Sequence, residues 1–143
     1  MKQIYNTISI CIFASVLLLS CNKEGNYPIP NLPVNLVLNL NLPAYQDLNN
    51  PGGWAYVNGG SRGIIVYNNF NEFVALDRHT TVFPDSTCSV AEVDSINTFV
   101  LNDPCSAAQF SITNGTALKE PAKWGLRQYF ATWDGASIVQ ITN

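Results

Sequence analysis

The stretch that most limits the possible folds lies near the C-terminus. Leu126 to Trp133 (LRQYFATW) and Ala136 to Thr142 (ASIVQIT) flank Asp134-Gly135. Two runs rich in β-branched and aromatic residues around an Asp-Gly pair predict an antiparallel hairpin. The same grammar extends back to Val34. Val34 to Leu42 alternates, with Val34, Leu36, Leu38, Leu40 and Leu42 on one face and Asn35, Val37, Asn39 and Asn41 on the other, the period of a half-buried strand. Trp54 to Val57 follows a Pro51-Gly52-Gly53 turn, and Gly59-Gly60 separates it from GIIVY at 63–67, a run suited to a buried strand. EFVAL at 72–76 comes after a polar Asn68-Asn69 turn region. Ile96 to Leu101 and Gln109 to Thr113 read as a further pair, Asn114-Gly115 as a tight hairpin turn, and Val90 to Ser95 as another short strand. Beyond the N-terminal apolar stretch no segment carries a helical period. Short strands punctuated by Gly and Pro predict an all-β domain, an antiparallel sandwich or partial barrel. Tyr56, Tyr67, Phe73, Phe99, Phe110, Tyr129, Phe130 and Trp133 fall in strands, and most are expected in the core or in cross-strand pairs.

The N-terminus follows different rules. Lys2 precedes an apolar run from Ile8 to Leu19, long enough for the core of a signal peptide and short of the ~20 residues of a membrane span. It ends in Leu18-Leu19-Ser20-Cys21, which resembles the bacterial lipobox: Leu18 fits the aliphatic position, Ser20 the small one, and Leu19 is bulkier than usual. The resemblance implies a signal peptide over 1–20, cleavage before Cys21, and a lipid on the Cys21 sulfur. The alternatives are an ordinary secretory signal with an incidental cysteine, or an uncleaved anchor helix. Asn22 to Pro33 is polar and then Pro-rich and reads as a lipidated tether over 21–33, leaving 34–143 as the domain. From Cys21 onward six Lys and Arg face ten Asp and Glu with no basic patch, which disfavours nucleic-acid binding. The expected location is the cell envelope. Asn22, in place of an aspartate after the cysteine, is compatible with the outer rather than the inner membrane.

From Gly63 onward the order of features resembles a Rieske-type domain, in particular the small Rieske-like lipoproteins of Bacteroidetes-type bacteria. The matching residues are GIIVY (63–67), EFVALDR (72–78), Pro104-Cys105-Ser106-Ala107-Ala108-Gln109-Phe110, the Asn114-Gly115 turn, Glu120-Pro121-Ala122, the Leu126-Arg127-Gln128-Tyr129 strand and the closing Asp134-Gly135 hairpin. A Rieske domain holds a 2Fe–2S cluster with two cysteines and two histidines, supplied as Cys-X-His from one loop and Cys-X-X-His from a second. Aligned on Asp77-Arg78, the first pair falls on Thr80 and Val82. Aligned on Pro104-Cys105 and Phe110, the second falls on Asp103 and Ser106. None is a suitable ligand, and His79 is the only histidine, so no cofactor is expected. Many Rieske proteins carry an extra cysteine in each loop, and the two form a disulfide. The resemblance thus implies a Cys88–Cys105 bridge, although Cys88 lies a few residues beyond the family spacing. An exported protein sits in a compartment that permits it.

Other candidates are weaker. His79 with Cys88, Cys105 and a carboxylate could hold zinc, but no CxxC or HxxxH pair is present. Thr80, Thr81, Ser86 and Asp77 neighbour His79 without forming a catalytic pattern, and no enzymatic activity is expected. Trp54, Phe83 and Trp124 fall at strand edges or loops, and an exposed apolar loop tip at Phe83 would be a binding surface. Asp85-Ser86-Thr87 and Asp94-Ser95-Ile96 resemble O-glycosylation motifs of these bacteria. The expected function is that of a membrane-anchored accessory or binding module with an unspecified envelope partner. The alternative is a redox protein, acting through an unrecognised metal or a reversible Cys88–Cys105 disulfide.

Overall fold

The computed structural model describes residues 27–70 and 72–143; the signal segment and Cys21 lie outside the described residues. Among the described residues ten strands follow in order: β1 (Asn35–Asn39), β2 (Trp54–Val57), β3 (Ile64–Asn69), β4 (Glu72–Asp77), β5 (Glu92–Val93), β6 (Val100–Asn102), β7 (Gln109–Ser111), β8 (Ala117–Lys119), β9 (Gln128–Trp133) and β10 (Ile138–Thr142). They form two antiparallel sheets, one of six strands in the order β1-β10-β9-β4-β3-β2 and one of four in the order β5-β6-β7-β8. The all-β expectation holds, in the form of a curled half-barrel with a smaller sheet against it.

The unbroken apolar run of β3 has a direct cause. Ile64 and Val66 point into one apolar cluster, inside the curl, with Leu38, Leu48, Phe73, Ala75, Val139 and Ile141. Ile65 and Tyr67 point into a second, against the four-stranded sheet, with Val74, Leu76, Leu101, Phe110 and Ile112. A strand covered on both faces has no polar side to show, so the period-2 signal disappears. Each fully buried Ile or Val here contributes roughly 1.5–3 kcal/mol.

Several local expectations are corrected. The β1 strand ends at Asn39, and Leu42 is exposed, because the chain turns into a 3-10 helix over Pro43–Asn49. That helix was not expected: seven residues are too few for a helical period, and its signals are Pro at the first turn and one buried residue, Leu48. Asn68 and Asn69 belong to β3, not to a turn. Asn68 is buried and donates from Nδ2 to the Leu48 carbonyl at 2.9 Å. The turn instead uses Phe70, whose φ is 53°. Of Ile96 to Leu101 only the end is strand, since the Asp94 carboxylate caps the backbone N–H groups of Ile96 and Asn97 and leaves Ile96 95% exposed. The expected strand over Val90 to Ser95 shrinks to Glu92–Val93. Asn114-Gly115 does turn a hairpin, but a wider one, leading into the unexpected β8. Phe130, Phe99 and Tyr56 are exposed rather than core.

The folded unit also begins earlier than Val34. Ile29 is buried, the Arg127 Nη2 donates to its carbonyl at 2.7 Å, and the Tyr27 hydroxyl donates to the Gly125 carbonyl at 2.8 Å. The segment from Tyr27 to Pro33, expected as free tether, is docked on the domain.

Candidate functional site

Two loops stand side by side at one end of the smaller sheet, and they are the loops the sequence singled out. The first runs from Arg78 to Ala91 between β4 and β5. The second runs from Asp103 to Ala108 between β6 and β7. A disulfide joins Cys88 to Cys105 across them, with the two Cα atoms 5.3 Å apart.

The first loop is built from one buried acid. Asp77, at the end of β4, is 0% exposed. Its Oδ2 accepts from the Ser61 backbone N–H at 2.6 Å and the Tyr129 hydroxyl at 2.7 Å. Its Oδ1 accepts from the His79 N–H at 2.9 Å and the Arg62 N–H at 3.3 Å. All four partners donate, so the side chain acts purely as an acceptor, and it ties β4, β9 and the β2–β3 turn together. Gly60 makes the approach possible. Its φ is +60°, and a Cβ there would lie 2.5 Å from Asp77 Oδ2 and 2.7 Å from the Tyr129 hydroxyl. Burial, and then the bond to Asp77, push the Tyr129 phenol far above its usual range.

The residues held by Asp77 hold the loop in turn. Arg62 donates from Nη2 to the Pro84 carbonyl at 2.9 Å and from Nη1 to the carbonyls of Ser86 and, at 3.4 Å, Ser89. The His79 Nε2 lies 2.7 Å from the same Pro84 carbonyl, and Nδ1 lies 2.8 Å from the Ser61 hydroxyl. A carbonyl only accepts, so Nε2 carries a proton, and in the neutral ring Nδ1 then accepts from Ser61. A serine donating to a histidine is also the contact of a nucleophile with its base. Here the backbone N–H groups of Ser61 and Arg62 already donate to Asp77, which leaves neither for a developing oxyanion. The arrangement closes a loop rather than activating a hydroxyl. The Ser89 hydroxyl donates to the Phe83 carbonyl and lies 3.6 Å from the Cys105 sulfur, linking the inside of the loop to the bridge.

The four aligned ligand positions can now be placed. Asp103 is 1% exposed. Its Oδ1 accepts from the Cys105 N–H at 3.0 Å, and its Oδ2 accepts from the Ser106 hydroxyl at 2.5 Å. The second-loop pair therefore satisfy each other. Ser106 Oγ also accepts from the Ala108 N–H at 3.2 Å, and Ala107 takes a φ of 57° to close this turn. Thr80 is fully buried, and its hydroxyl has no hydrogen-bond partner among the described residues. Val82 packs on the second apolar cluster. Two hydroxyls, an inward-bonded carboxylate and an alkyl group do not fit a 2Fe–2S cluster, which needs two thiolates and two imidazoles. Both nitrogens of the one histidine are engaged.

The same contacts leave no thiolates for zinc beside His79, because Cys88 and Cys105 are bonded to each other. Among the described residues no group of three or more His, Cys, Asp or Glu could hold a metal ion, and no helix is long and apolar enough to cross a membrane. Ser61, Arg62 and Tyr129 were missed as site residues. Their partners lie 15 to 52 positions away in sequence, and the only local signal was the Gly59-Gly60 pair preceding them. Phe83 is half exposed in the first loop, and Trp124, whose carbonyl accepts from the Thr81 hydroxyl of that loop, is 42% exposed. The chain was compared with models of known protein families and with curated protein sequences, and neither comparison gives a match.

Proposed function

We propose that this chain is a lipoprotein of the bacterial envelope, attached through a lipid on Cys21, whose Rieske-like domain has lost its cluster ligands and serves as a non-catalytic binding or accessory module. The reading places it at the outer rather than the inner membrane, with a protein partner in the envelope. One observation carries it. Two adjacent loops are bridged by Cys88–Cys105, and Asp103 and Ser106 bond each other at positions where the resemblance would put ligands. Contacts within the protein do the work that metal bonds do in the family. The arrangement of these loops on a small sheet beside a larger one supports the Rieske-like reading, as does the order of motifs from Gly63 onward.

The test is chemical. Protein extracted from membranes should have Cys21 as its first residue, with a mass increment of a diacylglyceryl group and an amide-linked acyl chain. A Cys21→Ser variant should leave the membrane fraction. An unmodified cysteine in a chain that keeps its first twenty residues would overturn the anchoring. Iron bound stoichiometrically in protein purified anaerobically would overturn the loss of the cluster.

A further inference from the structure

We propose that the corner where Tyr27 meets Trp124 is the face this domain lays against the phospholipid bilayer, so that the bridged loops work at the membrane surface. The inference rests on the lipid at Cys21 and adds an orientation to it.

The entry of the chain into the fold is fixed by four contacts. The Tyr27 hydroxyl donates to the Gly125 carbonyl at 2.8 Å, and the Tyr27 ring meets the Trp124 ring edge-on at 6.2 Å between centroids. The Arg127 guanidinium lies 4.7 Å over the Tyr27 ring and donates to the Ile29 carbonyl at 2.7 Å. Burial raises the Tyr27 phenol to about 12, against the lowering effect of Arg127, consistent with a side chain seated in the domain.

Cys21 is six residues before Tyr27. Even a fully extended chain spans only ~3.5 Å per residue, so ~21 Å separates the lipid-bearing sulfur from Tyr27 at most. A domain of this size has a radius of gyration of ~13 Å and is ~35 Å across. The tether is shorter than the domain, so Tyr27 cannot sit on the far pole. Even drawn out fully, the tether reaches only slightly past the domain's mid-height of ~17 Å, and any slack in it brings the Tyr27–Trp124 corner into the membrane-facing half.

The chemistry of that corner suits a lipid interface. Trp124 is 42% exposed and Phe83 is 52% exposed. Lys123 is exposed beside Trp124. Tryptophan and tyrosine favour the headgroup level of bilayers, and a neighbouring lysine can reach the phosphates. The first loop is tied to this corner at Thr81, two residues before Phe83, which donates from Oγ1 to the Trp124 carbonyl at 2.7 Å. The loop carrying Cys88 is thereby drawn to the bilayer.

The experiment uses the mature lipidated protein in phosphatidylcholine vesicles, with and without bromine on the acyl chains. Bromolipids should quench the wild-type tryptophan fluorescence. Trp124→Phe, which keeps an aromatic ring against Tyr27, should lose at least half of that quenching, with Trp54 and Trp133 contributing the remainder. Equal quenching in Trp124→Phe, or none in wild-type protein that carries its lipid and floats with the vesicles, would overturn the orientation alone and favour a protein partner at this corner. Protein with an unmodified Cys21 that does not float would overturn the anchoring and the orientation with it.

Discussion

Replacing Asp77 by asparagine should be among the most damaging near-isosteric changes in this domain. The carboxylate is fully buried and accepts four hydrogen bonds, two on each oxygen. An amide keeps one acceptor and turns the other into a donor. With the remaining oxygen toward Arg62 and His79, the new NH2 faces the Ser61 N–H, which is left without an acceptor, and the Tyr129 hydroxyl, which must rotate to accept. The orphaned N–H costs about 1–3 kcal/mol, and losing a bond to a charged group costs about 1.5–3 kcal/mol. Part is recovered by the rotated tyrosine, so the net loss is about 3–4 kcal/mol, or about 12–16 °C in Tm for a domain this size. Equilibrium urea unfolding followed by tryptophan fluorescence reads it directly. Tyr129→Phe removes only one bond, and its loss should be roughly half as large. Asp77→Asn within 1 kcal/mol of the wild type would refute the assignment of Asp77 as the hub of the first loop.

Four further expectations are open to measurement. Cys88→Ser with Cys105→Ser should lower stability by about 3 kcal/mol in urea, the chain-entropy value for a bridge of sequence separation 17. Gly60→Ala should cost about 2–4 kcal/mol in the same assay, since it adds left-handed strain to a Cβ 2.5 Å from Asp77 Oδ2. The Asp134 carboxyl is held below its ordinary 3.8, first by the N–H of Ile138 and then by that of Ala136. A depressed folded value gives stability that is present above the unfolded pKa and lost as pH falls through the folded one, so Asp134→Asn should flatten the decline of Tm below about pH 4. For Tyr27 the sign is opposite. A phenol raised to about 12 gives stability that is full below pH 10 and lost as pH rises through the folded value, and Tyr27→Phe should remove one late-ionising phenol from the absorbance titration at alkaline pH.

The strands legible in the sequence were those whose pattern is set by neighbours in the chain. Trp54–Val57 sits where the Pro51-Gly52-Gly53 turn puts it, and the Asp134-Gly135 hairpin closes as expected, with Val139 opposite Trp133. The double burial of Ile64 to Tyr67 could be read because two covered faces leave no polar positions. The 3-10 helix at Pro43–Asn49 escaped because seven residues, a little over two 3-10 turns, carry no readable period. Asn68 escaped because its amide finds a buried acceptor in that helix, which an Asn-Asn pair does not disclose. In the site, the loops and the two cysteines were reachable through the Rieske resemblance, whereas the lock on the first loop was not. Arg62 grips the carbonyls of Pro84, Ser86 and Ser89, and main-chain acceptors leave no trace in residue type. Asp77 served in the sequence only as a marker for alignment, and its role depends on donors from three separate segments.

The central claim is that contacts within the protein hold these two loops where a cluster would otherwise do so. Anaerobic incubation of the purified domain with ferrous iron and sulfide, followed by desalting and iron analysis, tests it most directly. The account predicts iron well below one atom per chain, no visible absorption, and an intact Cys88–Cys105 bridge. Retention of about two iron atoms per chain with the visible bands of a 2Fe–2S centre would contradict it.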